Sequence, residues 1–146
     1  MNDVVLLVAG PLGMISHPRI THEIATWLFR LVSSGMKVLI PEIADYEVRR
    51  ELLRVGSTRG IERLNELKIT LGFVPITSEA MRQAATFWTD ARRRGRPTAG
   101  DESLDADVIL SAQAATLADK TVIVASTNPR HISRFVPAEH WQDITG

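Results

Sequence analysis

The 146-residue chain contains no cysteine. Disulfides, thiolate zinc sites and cysteine nucleophiles are therefore excluded. It has no excess of either charge: 17 Lys and Arg balance 17 Asp and Glu. Bulk charge gives no general attraction to nucleic acid or membrane, so any such binding needs a local patch. Aromatic residues make up only 5% of the sequence, and none are interleaved with basic residues as a platform for stacked bases would require. Long apolar runs are also missing. The first such run is interrupted by Gly10, Pro11 and Gly13 and preceded by the acidic Met1-Asn2-Asp3. It suits neither a signal peptide nor a bilayer span. These absences fit a cytoplasmic protein. Familiar catalytic loops are absent as well. "AGPLG" lacks the Lys-Ser/Thr ending of a P-loop, no Gly-x-Ser-x-Gly elbow occurs, and His17 and His22 form no metalloprotease motif. An EF-hand starting at Asp101 would have Ala106 where Gly is needed and Ala112 where Glu is needed.

What is present is 45% hydrophobic, enough for the core of a single domain spanning residues 1–146. Val4 to Val8 reads as a buried parallel strand that breaks at Gly10-Pro11. Pro18 is expected to open a helix carrying Ile20, Ile24, Trp27, Leu28 and Leu31, with Gly35 ending it. "KVLI" (Lys37–Ile40) follows as a strand closed by Pro41. A short helix to Gly56 and another over Thr58–Thr70 come next, then a strand over Phe73–Ile76. Thr77 and Ser78 can cap a helix ending in Arg92, Arg93 and Arg94. Residues 95–103 read as a loop and Ala106–Ala118 as a small-residue helix. Thr121–Ala125 is the last clear strand, and "WQDI" is a candidate edge strand. Such alternation predicts an α/β fold, a three-layer α/β/α sandwich around a mostly parallel sheet.

Ligands of open α/β sheets gather at the carboxyl ends of the strands. The first strand is followed by no acid. The second is followed by Glu42, Asp45 and Glu47, and the last by Ser126, Thr127, Asn128 and His131. Asp105 and Asp107 stand at the expected start of the Ala-rich helix. There they can favour the helix's positive end or offer carboxylate oxygens to Mg2+ or Mn2+. Glu47 with Arg50 and Glu51 is either a solvated charge ladder or a site acid. Thr127 and Asn128 either form turn hydrogen bonds or orient a water or phosphate oxygen. Arg92, Arg93, Arg94 and Arg96 either complement a helix C-terminus or form a phosphate-contacting rim.

The order of "VVLLVAGPLG", "IPEIADYEVRREL", "DADVILSAQA" and "VIVASTNPRHISRF" resembles the PIN-domain family, which includes the VapC-type ribonuclease toxins of toxin–antitoxin pairs. The resemblance runs across nearly the whole chain. It implies a Mg2+- or Mn2+-dependent ribonuclease with metal ligands at Glu47, Asp107 and Asp105. Asn128 would join them in the catalytic set. Val8, Thr127, His131, Arg92, Arg93 and Arg96 would lie around the substrate. It also implies a homodimer and a cognate antitoxin partner. Two positions depart from the family pattern. Val8 stands where the first strand's Asp is usual, and His131 stands near the place of a late acid. A valine cannot ligate a hard cation, so the resemblance implies a ribonuclease weakened or silenced at Val8. The alternative is a non-catalytic PIN-like module that binds RNA or protein. A receiver-like domain fits less well, because the paired acids at the first strand's end and the Lys after the last strand are missing.

Overall fold

A computed structural model describes residues 3–94, 101–117 and 120–146, with residues 101–103 described by backbone alone. The strands are β1 (Val4–Leu7), β2 (Lys37–Pro41), β3 (Phe73–Val74), β4 (Val122–Ser126) and β5 (Ala138–His140). The helices are α1 (Ala9–Ser16), α2 (His22–Ser33), α3 (Glu42–Val55), α4 (Thr58–Leu71), α5 (Ser78–Arg93) and α6 (Asp101–Ala115). Two 3-10 turns, Ile132–Arg134 and Trp141–Asp143, flank β5. The strands pair in the order β3-β2-β1-β4-β5, and every pairing is parallel.

All four residues of β1 are buried, each no more than 1% exposed. This is why the strand reads as an unbroken apolar run rather than an alternating one. Val5 and Leu7 join one core layer with Leu12 and Ile15 of α1, Ile24 and Leu31 of α2, and Leu64 of α4. Val4 and Leu6 point the other way, into a layer with Leu110 and Ala114 of α6 and Ile132. Burying each such aliphatic side chain contributes about 1.5–3 kcal/mol. A third cluster joins α5 to α6 through Ala80, Ala84, Leu104, Val108 and Ala112, whose small side chains allow close packing. These layers form the expected α/β/α sandwich.

Four details differ from the sequence expectation. "AGPLGMIS" is helix α1, beginning one residue after β1 through Val8, rather than a turn. Pro11 is tolerated because the first-turn N–H groups have no intrahelical acceptor to lose. Pro18 lies in the turn after α1, and the next helix starts only at His22. α6 begins at Asp101, so Asp105 and Asp107 sit inside the helix rather than at its first turn. The edge strand is Ala138–His140, while Trp141–Asp143 forms a 3-10 turn. Its Trp141 is buried against Trp27, and the Trp27 indole N–H donates to the Ile144 carbonyl at 3.0 Å. Among the described residues no helix is long and apolar enough to cross a membrane.

Candidate active site

The chain leaves β1 toward β2 and β3 on one side, then returns through α5 and α6 to β4 on the other. The carboxyl ends of β1 and β4 therefore flank a topological switch point, the usual position of a ligand crevice in such sheets. Val8 and Thr127 stand at those two ends. The Val8 N–H donates to the Ala125 carbonyl at 3.2 Å, and its own carbonyl accepts from Leu12 N–H at 3.1 Å as α1 begins. Gly10 is required by close approach: a Cβ there would lie 2.6 Å from Thr127 Oγ1. Asn128 N–H donates to Ser126 Oγ at 2.9 Å, which tightens the turn after β4. The Asn128 and Thr127 residues are exposed above it.

Glu47 and Asp107 meet across this end of the sheet from α3 and α6. Burial holds both carboxyls above their ordinary range. For Glu47, the nearby Arg50 cation opposes that shift and the Asp107 charge adds to it. For Asp107, the charges of His131 and Arg134 oppose it. Val8 packs partly buried in the layer holding Ile43, Ala106, Leu110 and Ile132. Each of these is close in sequence to a polar neighbour of the site: Ile43 one turn before Glu47, Ala106 and Leu110 around Asp107, Ile132 beside His131.

Other acids near β2 and α6 have different tasks. Asp45 is buried and held by Arg49 through Nε at 3.1 Å and a terminal N–H at 3.0 Å; Arg49 also donates to Asn65 at 2.8 Å. Glu42 accepts the Ile76 N–H at 2.7 Å and anchors the segment after β3. Asp105 is exposed and lines a groove between α5 and α6 with Met81, Ala85 and Trp88. It lies only two residues from Asp107, but two residues turn an α-helix through about 200°. The two acids therefore face different sides. Among the described residues, no three His, Asp or Glu side chains converge as a metal cluster. Arg92 lies over the Trp88 ring, its guanidinium carbon 5.1 Å from the centroid, and Arg93 is exposed at the end of α5. Arg96 lies outside the described residues.

Two contributors were not expected. Arg134, from the 3-10 turn after β4, places its charge near Asp107 and donates through Nε to the His131 carbonyl at 3.0 Å. Gln113 is fully buried. Its Oε1 accepts the Ile43 N–H at 3.3 Å, and its Nε2 donates to the Val74 carbonyl at 2.8 Å. This amide clasps the start of α3 and the end of β3 to α6, and so fixes the two helices that carry Glu47 and Asp107. A lone Gln inside the otherwise apolar "VILSAQAATLA" was the available signal.

No family model matches the sequence, and no curated protein matches it either. Solved structures do match over almost the whole chain. One is VapBC2 from Rickettsia felis bound to a DNA fragment from their promoter, with a TM-score of 0.77, 12% identity and coverage of 94% of this chain and 98% of that one. Another is FitAcB from Neisseria gonorrhoeae, at 0.71 and 17%, covering 96% and 99%. VapBC-1 from nontypeable Haemophilus influenzae gives 0.71 and 14%, again covering 96% and 99%. The fold is therefore the PIN-like sandwich, shared with chains of these complexes.

Proposed function

We propose that the chain is a PIN-type, Mg2+- or Mn2+-dependent ribonuclease whose cation site is weakened because Val8 replaces a carboxylate. The observation that carries this is the Glu47–Asp107 pair, two carboxyls desolvated side by side at the switch point. Structural acids in this chain are matched by donors, as Asp45 is by Arg49. Glu47 and Asp107 are instead held above their ordinary range by burial, against the nearby charges of Arg50, His131 and Arg134. Such an arrangement is retained where a cation or a transferred proton offsets it. The donors fit a hard divalent ion in kind, since Mg2+ is commonly held by one or two carboxylates with waters and substrate phosphates. Asp105 faces another groove, so Glu47 and Asp107 are the residues that would hold it. When bound, such an ion supplies charge neutralisation at the phosphodiester and a more acidic water. The chain's own residues then have separable tasks. Thr127 and Asn128 orient polar groups at the end of β4, while the charges of His131 and Arg134 act on Asp107 and favour its ionised form.

The partner side of the proposal rests on the kind of complex the neighbours form. VapBC2, VapBC-1 and FitAcB are multi-component assemblies by name, and we extend to this chain a cognate antitoxin, a homodimer and a cytoplasmic setting. Exposed Phe29, Leu53 and Ile69 give a covering protein apolar surface to bury. Val8 itself favours a second reading, a PIN-like module that binds RNA or protein without cutting. One gel assay separates the two. On the nuclease reading, Val8→Asp raises Mn2+-dependent RNA cleavage clearly above the unmodified chain. If that variant gains neither metal nor cleavage, the nuclease reading fails and the binding module stands.

A further inference from the structure

A cavity of about 530 Å3 is lined by Phe87, Asp90, Ala91 and Arg94 of α5 and by Phe135 and Arg134, the residue whose charge also acts on Asp107. The Phe87 and Phe135 rings lie 5.1 Å apart at a 36° tilt. Phe135 packs against the α5–α6 cluster that includes Leu104 and Val108 of α6, on either side of Asp107 in sequence. The Arg134 guanidinium lies over Phe135, 5.1 Å from its centroid, and its Nε is tied to the His131 carbonyl. Arg134 is thus shared: it borders the cavity on one side and Asp107 on the other.

The lining combines three chemistries. Two aromatic rings supply a flat apolar wall, two arginines supply cationic donors, and Asp90 supplies an anionic acceptor. Ion pairs among the described residues are Asp45–Arg49 and Glu51–Arg54, so Asp90, Arg94 and Arg134 are not committed to one another. A bare phosphate would meet Asp90 as a repelling charge, and an apolar ligand would leave all three charges unmatched. A nucleotide has a π-face, a phosphate and, in most bases, amino hydrogens, and a volume of this size is of the order small ligands occupy.

We propose that this cavity is a nucleotide subsite for the RNA residue next to the bond cut at Glu47 and Asp107. The base stacks on the aromatic wall and on the Arg134 plane. Arg134 and Arg94 take the adjoining phosphate, and Asp90 accepts an N–H hydrogen of the base. The larger π-face of adenine stacks more strongly on the aromatic wall than that of uracil, so the subsite prefers adenine over uracil. This inference rests on the nuclease reading for the position of the cut bond. Phe87 and Phe135 lie far apart in sequence and neither is interleaved with a basic run, so only the fold brings them together with arginines.

The test is fluorescence anisotropy in EDTA with oligoadenylate and oligouridylate of about eight nucleotides, so that neither metal nor cleavage intervenes. The expected result is tighter binding of oligoadenylate. Arg134→Ala and Arg94→Ala each weaken it by roughly three- to tenfold and lower the salt slope by about one. Asp90→Ala removes the acceptor for the base and weakens binding of both oligonucleotides. If the unmodified chain binds RNA and all three variants leave affinity, salt slope and base preference unchanged, the subsite is overturned while the nuclease reading survives. If the unmodified chain binds neither oligonucleotide, the subsite is overturned, while the nuclease reading stands or falls on the Val8→Asp cleavage assay.

Discussion

Asp45 and Glu47 are two residues apart on one helix, and the structure treats them oppositely. Asp45 points into the core side, where Arg49 and, behind it, Asn65 neutralise and fix it. Glu47 is half-buried instead, and desolvation outweighs the nearby Arg50 charge and holds its carboxyl above the ordinary range. α6 repeats the contrast, with Asp105 on an exposed groove and Asp107 at the crevice. Sequence proximity therefore says little about the task of an acid; the helical phase decides it. What separates Asp45 from Glu47 and Asp107 is that a two-pronged arginine offsets its burial, whereas for the other two desolvation is the larger effect.

The largest expected effect breaks the frame that keeps the contrast in place. Gln113→Leu leaves the Ile43 N–H and the Val74 carbonyl buried without a partner. It should cost about 2–4 kcal/mol of stability in urea unfolding. A cost below about 0.5 kcal/mol would mean that the amide does not tie α3 and β3 to α6. Asp45→Asn tests the structural half. It removes a charge from a partly buried i,i+4 pair and should cost roughly 1 kcal/mol, with no change in Mn2+ binding; altered metal affinity would move Asp45 into the site. Glu47→Gln tests the other half and should act in the opposite direction. It relieves the desolvation of a half-buried carboxylate and raises Tm slightly at neutral pH, by about 1–2 °C.

The same contrast fixes a pH dependence. A carboxyl whose folded pKa is raised binds its proton more tightly in the folded than in the unfolded chain. Glu47 and Asp107 therefore lower stability at neutral pH. That penalty is relieved as pH falls through their raised folded values, down to the ordinary carboxylate range. Thermal unfolding of the unmodified chain against Glu47→Gln and Asp107→Asn checks this. The stability gained by either variant should shrink as pH falls through that window, and a gain that grows there would contradict the sign. Saturating Mn2+ should raise Tm of the unmodified chain and leave both variants less affected, because an ion that binds only the folded state stabilises it by mass action.

Much of the fold was legible because its strands are short apolar runs bounded by Gly and Pro, and its helices carry clear apolar spacing. Glu47 and Asp107 were legible from motif order alone. The rest depended on geometry that one dimension does not show. "AGPLG" looked like a turn because Gly-Pro usually marks one, but the first turn of a helix tolerates both. Asp105 looked equivalent to Asp107 because the helix was expected to start at Ala106, whereas α6 starts at Asp101. Arg134 and Gln113 act across the fold, on partners far away in sequence, and neither residue type carries a local motif.

The central claim is that Val8 is the missing donor of a divalent-cation site built on Glu47 and Asp107. Calorimetric titration of Mn2+ into the unmodified chain and into Val8→Asp tests it most directly. The added carboxylate should tighten binding on the order of tenfold to a hundredfold. It should also lower Tm in EDTA, because a carboxylate replaces a partly buried apolar side chain. Equal Mn2+ affinity in the two proteins, with both folded, would contradict the account.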